Sequence, residues 1–274
     1  FSFAQKDELK AAEKAIKSEN YADAKTAINA AESLIGSVDD KTKAQFYYLK
    51  GEAYYAGGKG SSADMDAAIE SFDKVEQLEG GKGKFSSQAA QSKQDMLNTF
   101  LTKANSALES KNYAVSSVGF ERVYKLSPKD TTFLYYAAAT AINAQDYDKA
   151  LKHYEELKAL NYDGSEIQYI ATVKATNQEE PFDNKALRDA SVRVGTHIAP
   201  KEKRTPSKKA EIAKNIGLIY INKGQNDKAV AAIKDARKLN PDDTNLILSE
   251  ANIQLQLGNK EAFKSLIEEA LQKD

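Results

Sequence analysis

The stretch Asn215–Asp242, NIGLIYINKGQNDKAVAAIKDARKLNPD, decides how the rest of the chain is read. Apolar residues recur at three- and four-residue spacing on both sides of Gly224, which predicts helix, tight turn, helix. Gly217 and Tyr220 fall on the first helix. Ala229, Ile233 and Ala236 share one face of the second, and Pro241 stops it. Small residues at the crossing points let two helix axes approach to about 8–10 Å. The same order of residues returns elsewhere. Asp146-Tyr147 lies 34 residues after Asn112-Tyr113, and Ala150, Tyr154 and Leu157 then fill the small, large and medium positions of a second helix. Helical amphipathicity alone repeats about every 3.6 residues, so the long fixed offset is evidence for a repeat array.

This pattern resembles the tetratricopeptide repeat, a helical hairpin with a period of about 34 residues. Seven units follow from the resemblance, at residues 5–36, 42–79, 87–130, 131–163, 164–207, 208–242 and 243–274. It implies an all-α fold: a right-handed α-solenoid of stacked antiparallel helix pairs, first helices on the concave wall and second helices outside. Leu9, Ala12 and Ile16, then Ala24, Ile28, Ala31 and Leu34, line the first pair. FYYLKGEAYY (Phe46–Tyr55) supplies the first helix of the second unit, with Gly51 as the small residue. The turn after it, GGKGSSADMD, is about five residues longer than the family's usual connection. Tyr54, Tyr113, Tyr147 and Tyr220 are expected to fill gaps between adjacent units.

The fifth unit is irregular. Glu166–Thr176 predicts a helix, Pro181 blocks its continuation, and Asn184–Val194 predicts a second helix with Leu187, Ala190 and Val194 inward. GTHIAPKEKRTPS (Gly195–Ser207) reads as a loop. In the last unit Leu266, Ile267 and Leu271 are more apolar than the polar helix that shields a solenoid's end, so this end is expected to meet further chain or another surface.

Composition narrows the function. The 39 Lys and Arg balance 40 Asp and Glu, which gives no field to attract nucleic acid or an anionic membrane. No apolar run is long enough to span a bilayer. The chain has no cysteine, which removes disulfides, thiolate nucleophiles and cysteine-based zinc sites. FSFAQ, at the start, has two readings: the remnant of a secretory signal with a small residue, Ala4, at the cleavage point, or a slightly apolar start to the first helix. This start and the tyrosine-rich repeats are similar to exported repeat proteins of Gram-negative bacteria such as Bacteroidota. That likeness implies a periplasmic or exported location, with the cytoplasm as the alternative.

Chemistry is sparse. His153 and His197 stand in different units without metal-ligand spacing, so no metal and no cofactor is expected. GGKGSS (Gly57–Ser62) lacks the spacing of a phosphate loop and follows no strand. The basic run Lys201–Arg204 has acidic neighbours and no aromatic platform, and reads as solvated. What remains is the groove that the resemblance implies. Its ligand-facing positions hold Tyr48, Glu52 and Tyr55, then by register Asn105, Tyr135, Ala139, Lys214 and Asn215. Tyrosine and asparagine suit a peptide backbone and its side chains. The alternative is that these tyrosines only pack between repeats. Some members of the family grip a peptide's terminal carboxylate with a Lys and an Asn one turn apart; here Leu218 follows Lys214, which breaks that clamp. The expected function is a non-enzymatic scaffold binding a protein or peptide partner, with a self-associating structural component as the alternative.

Overall fold

The computed structural model describes residues 2–273, with the side chains of 6–273; the FSFAQ side chains, and the export reading built on them, lie outside it. The chain divides into two compact units, Phe1–Asp146 and Tyr147–Asp274. The first unit is made of helices α1 (Ser2–Lys17), α2 (Tyr21–Glu32), α3 (Asp40–Tyr55), α4 (Ser62–Glu79), α5 (Lys84–Glu109), α6 (Tyr113–Leu126) and α7 (Thr132–Asn143). Short polar residues start them. Asn20, Asp39 and Asn112 each accept a hydrogen bond from a backbone amide three residues on, and Ser61 forms a reciprocal capping box with Asp64. Each helix packs on the next, and α1, α3 and α5 also touch in series. This is the expected stack of antiparallel pairs.

Burial follows the sequence pattern. Leu9, Ala12, Ala24, Ile28 and Ala31 are buried with Phe46, Leu49 and Ala53 of the next pair. Met65, Phe72, Val75, Phe85, Met96 and Phe100 form the following layer. Inside the second pair, a Cβ on Gly51 would lie 2.4 Å from the buried Phe72 ring. The third pair solves the same problem in reverse: Gly119 is on its second helix, and a Cβ there would lie 2.7 Å from that of Ala104.

The second unit contains α8 (Tyr147–Ala159), strands β1 (Ile167–Val173) and β2 (Glu179–Phe182), α9 (Lys185–Arg193), strand β3 (His197–Arg204), α10 (Lys209–Asn222), α11 (Asn226–Leu239), α12 (Thr244–Gln256) and α13 (Lys260–Lys273). Helices α10 to α13 pack as two successive hairpins, and α10 packs directly on α8. Here a Cβ on Gly217 would lie 2.6 Å from the Ile233 side chain, the close crossing that the sequence pattern requires.

Residues 164–207 correct the expectation of a fifth helical pair. Glu166–Thr176 is mostly strand, and Gly195–Ser207 is mostly strand rather than loop; with β2 they form an antiparallel sheet of order β2-β1-β3. The run IQYIATV is rich in β-branched and aromatic residues, which favour a pleated surface over a helix. The helix at α9 is where it was expected, but its face is reversed. Leu187 is 51% and Val194 74% exposed, and the residue turned inward is Arg188. Its guanidinium lies 5.5 Å from the centre of the Tyr169 ring, donates to the Lys201 carbonyl at 3.1 Å and pairs with Asp189 at 2.7 Å.

The sheet and α9 form an excursion closed at its base. The Lys208 amide donates to the Asp163 carbonyl at 2.7 Å, and the Thr205 amide to that of Glu166 at 2.8 Å. The repeat stack therefore resumes where it left off. Lengthening a loop is entropically mild, about 0.6 kcal/mol per doubling, so an array tolerates such an insertion. Joining Asp163 to Lys208 through two glycines is expected to keep a single cooperative melt within about 5 °C of the parent. Loss of helical circular dichroism in that variant contradicts this description of residues 164–207.

Candidate functional site

The first helices carry the expected groove residues, and the structure gives them unequal tasks. Tyr48, Glu52 and Tyr55 lie four and three residues apart on one side of α3. The Tyr48 ring packs against Phe72 and Phe85, with ring centres 6.2 and 5.8 Å away. Burial, helped by the Glu52 charge, pushes its hydroxyl up to about 12. Glu52 accepts a hydrogen bond from Ser92 of α5, and the Tyr55 hydroxyl lies 3.2 Å from that of Thr99 on the same helix. These two side chains thus bond α3 to α5. Burial raises the Glu52 carboxyl above the usual carboxylate range; the Ser92 hydroxyl opposes this and the Asp95 charge adds to it.

Asn105 is exposed on α5, and Tyr135 is half-buried on α7 with its ring 6.0 Å from that of Tyr136. Ala139, one turn on, is half-buried. These residues belong to the first unit. Lys214 and Asn215 belong to the second, on α10. The Asn215 amide donates to the Tyr154 hydroxyl at 3.1 Å, so it holds α10 to α8. Tyr220 does the same through Glu155, which accepts a hydrogen bond from the Tyr220 hydroxyl and so pushes it up to about 12. In the first unit Tyr54, at the matching place, donates to Asn29 of α2 at 3.1 Å. The expectation that tyrosines bridge adjacent repeats holds for these two.

On the first helices of the second unit, sequence reasoning named Leu218 only as the break in a clamp and missed Leu248 and Leu255. On α10, Ile212, Ala213, Ile216, Gly217 and Ile219 are buried; on α12, Leu246, Ile247, Glu250, Ala251 and Ile253 are. The opposite faces keep large apolar side chains in water: Leu218 is 40%, Leu248 38% and Leu255 47% exposed. Helices α10 and α12 touch each other, and α11 packs on both. The open faces of the two first helices therefore form one wall, away from α11. The repeat offset was the available signal. Leu248 stands 34 residues after Lys214, and Leu255 34 after Ile221.

Second helices are tied by charge. Lys25 of α2 pairs with Asp64 of α4 at 2.8 Å, Lys158 of α8 with Asp235 of α11 at 3.0 Å, and Arg237 of α11 with Glu269 of α13 at 2.6 Å. Exposed pairs of this kind contribute about 0–1 kcal/mol each. Among the described residues no group of three or more His, Asp or Glu is disposed to hold a metal ion, and no helix is long and apolar enough to cross a membrane. His153 is buried, and His197 lies on the sheet 3.2 Å from Glu180. The run Lys201–Arg204 is part of β3, where Lys201 pairs with Glu179.

A family model matches part of the chain. The Tetratricopeptide repeat family matches residues 101–164. No curated protein matches the sequence. Solved structures with a similar course include a MamA protein at 14% identity, over 85% of this chain and 92% of that one, with a TM-score of 0.43. MamA from residue 41 onward of Desulfovibrio magneticus RS-1 gives 14%, 84%, 94% and 0.42 in the same order. The TPR domain of P58(IPK) gives 17%, 98%, 60% and 0.35. Residues 101–164 thus match a tetratricopeptide repeat model, and the described helices of both units pack as successive hairpins.

Glu52 makes the α3–α5 seam sensitive to pH. Its folded-state pKa is raised, so between the ordinary carboxylate value and that raised value the folded chain binds more protons than the unfolded one. Stability from this group therefore falls as pH rises through that window. Glu52→Gln keeps the acceptor for Ser92 and removes the charge. It is expected to raise the melting temperature at pH 7.5 and to lose that advantage below about pH 4. A difference independent of pH counts against a buried, charge-bearing Glu52.

Proposed function

We propose that the chain is a non-enzymatic scaffold that binds a polypeptide through the first-helix wall of its second unit. One observation carries this reading. Leu218, Leu248 and Leu255 stay 38–47% exposed on helices whose opposite faces are buried. Exposed apolar side chains gathered on one face mark interaction surfaces. Lys214 and Asn252, beside the leucines on α10 and α12, provide polar points between them. The fitting partner is a segment with apolar side chains at helical spacing and a polar opposite face. The first unit offers Asn105 and Tyr135 as a second, more polar contact.

A second reading, self-association, is favoured by Leu271, which is largely exposed on α13. Sedimentation equilibrium separates the two, since a monomer at about 100 µM leaves no room for a functional homo-oligomer. For the first reading, the intact chain and a Leu218→Asp/Leu248→Asp variant serve as baits in extracts of the native source. Each large apolar side chain contributes about 1.5–3 kcal/mol when buried, so partners captured by the parent are expected to fall by about tenfold or more. The variant should keep its helical circular dichroism. Identical captured sets would sink the assignment of this wall.

A further inference from the structure

The lengthened turn after α3 borders a cavity that the scaffold reading leaves without a task. The cavity, about 440 Å³, lies in the first unit between the N-terminal parts of α4 and α6 and the C-terminal half of α5. Its volume falls within the range of about 300–1,000 Å³ typical of small-ligand sites. Buried Met65 and Phe100 are among its lining residues, as are Val115 and Val118 of α6. Val115 is 51% exposed, so this wall is apolar and uncovered.

The turn itself is held as part of the wall. A Cβ on Gly60 would lie 2.2 Å from the Tyr54 carbonyl oxygen, so only glycine lets the turn fold back so closely on α3. The Lys103 ammonium donates to the Gly58 carbonyl at 3.1 Å and joins the turn to α5. The extra residues in GGKGSS thereby become a fixed edge of the cavity.

The polar groups at this edge are cationic. Arg122 lines the cavity and is 8% exposed. Its Nε and Nη2 bond to Asp66 at 3.2 and 3.1 Å, and Nη2 also donates to the Ser62 carbonyl and hydroxyl at 2.7 and 2.6 Å. Its Nη1 makes no hydrogen bond among the described residues, and the Phe100 ring centre lies 5.6 Å from the guanidinium carbon. Lys103, also on the lining, has no carboxylate partner among the described residues. Asp66 is the one acid at the cavity's edge with a described bond to a lining residue, and it is already engaged by Arg122 and by Lys125 at 3.6 Å. The positive ends of α4 and α6 lie at this same end of the bundle.

We propose that this cavity binds a small organic acid with an apolar body, such as a medium-chain carboxylate. The apolar part fills the space over Met65, Phe100 and Val118, and the carboxylate meets Lys103 and the free edge of Arg122. Apolar lining with a few convergent charges is the usual composition of a site that orients one small ligand. Charge-assisted hydrogen bonds favour the anion over an alcohol of the same length.

The chain's two methionines provide the test, because Met65 lines the cavity and Met96, buried in the same core cluster, does not. The full chain, labelled with carbon-13 at the methionine methyls, is titrated with sodium decanoate, decanol and decyltrimethylammonium while methyl spectra are recorded. The expected result is a saturable shift of the Met65 methyl by decanoate with Met96 unmoved, and binding about tenfold weaker or absent for the other two. Lys103→Glu and Val115→Asp should each weaken decanoate by about tenfold. Both positions are exposed, and an acid at the third residue of α6 suits the helix dipole, so both variants keep the fold. No Met65 shift up to about 1 mM decanoate, equal movement of both methyls, or equal binding of decanol overturns the proposal.

Discussion

The structure depends on how closely two helices can cross. In the second hairpin Gly51 meets the face of the Phe72 ring, and in the hairpin of α10 and α11 Gly217 meets Ile233. No side-chain carbon fits at either place. The third hairpin keeps the same spacing by setting Gly119 against Ala104. Close crossing sets a glycine against the buried Phe72 ring or Ile233 side chain of the partner helix, or a glycine against an alanine. A pair of helices cannot cover its apolar surface by itself, so the next pair must. The stacking of α1 on α3 and α3 on α5, and of α10 on α12, follows from this need.

Polar groups then adjust the stack rather than drive it. Tyr54 and Tyr220 reach back from a first helix to the preceding second helix, and ion pairs such as Lys25–Asp64 and Lys158–Asp235 join successive second helices. Arg122 is the strongest of these ties because its charge is buried and met by several acceptors at once. The same residue lends the cavity under the lengthened turn its cationic edge. The leucines of α10 and α12 are the counterpart: Leu218, Leu248 and Leu255 keep a large share of their apolar surface outside the stack.

The repeats were legible because glycine, alanine and aromatic positions recur at a fixed interval, and the crossing geometry permits few other residues there. Gly217, Ala229, Ile233 and Ala236 occupy the places their order implied. The interval fails across residues 164–207, and there the helical reading failed too. Glu166–Thr176 has apolar residues at spacings that serve either a helix or a buried strand, and only its β-branched content favours the strand. Leu187 and Val194 looked like an inward stripe, yet Arg188 takes the inward place, because Tyr169 and the Lys201 carbonyl offer it a stacking face and an acceptor. No one-dimensional pattern announces such a partnership. The roles of the expected groove residues were not legible: Glu52 and Tyr55 are bonded to α5, a fact that depends on Ser92 and Thr99, some 40 residues away.

The most direct test of the crossing constraint is urea unfolding of Gly51→Ala and Gly217→Ala beside Gly36→Ala. Alanine improves helix propensity by about 1 kcal/mol, so a chain without the constraint would be stabilised at the first two positions. The buried Phe72 ring and Ile233 leave no room, and overpacking is expected to destabilise each by about 1–3 kcal/mol. Gly36 has nothing within 4 Å of an added methyl, and its variant should unfold at or slightly above the parent's midpoint. Midpoints for Gly51→Ala and Gly217→Ala that match or exceed the parent's would contradict the account.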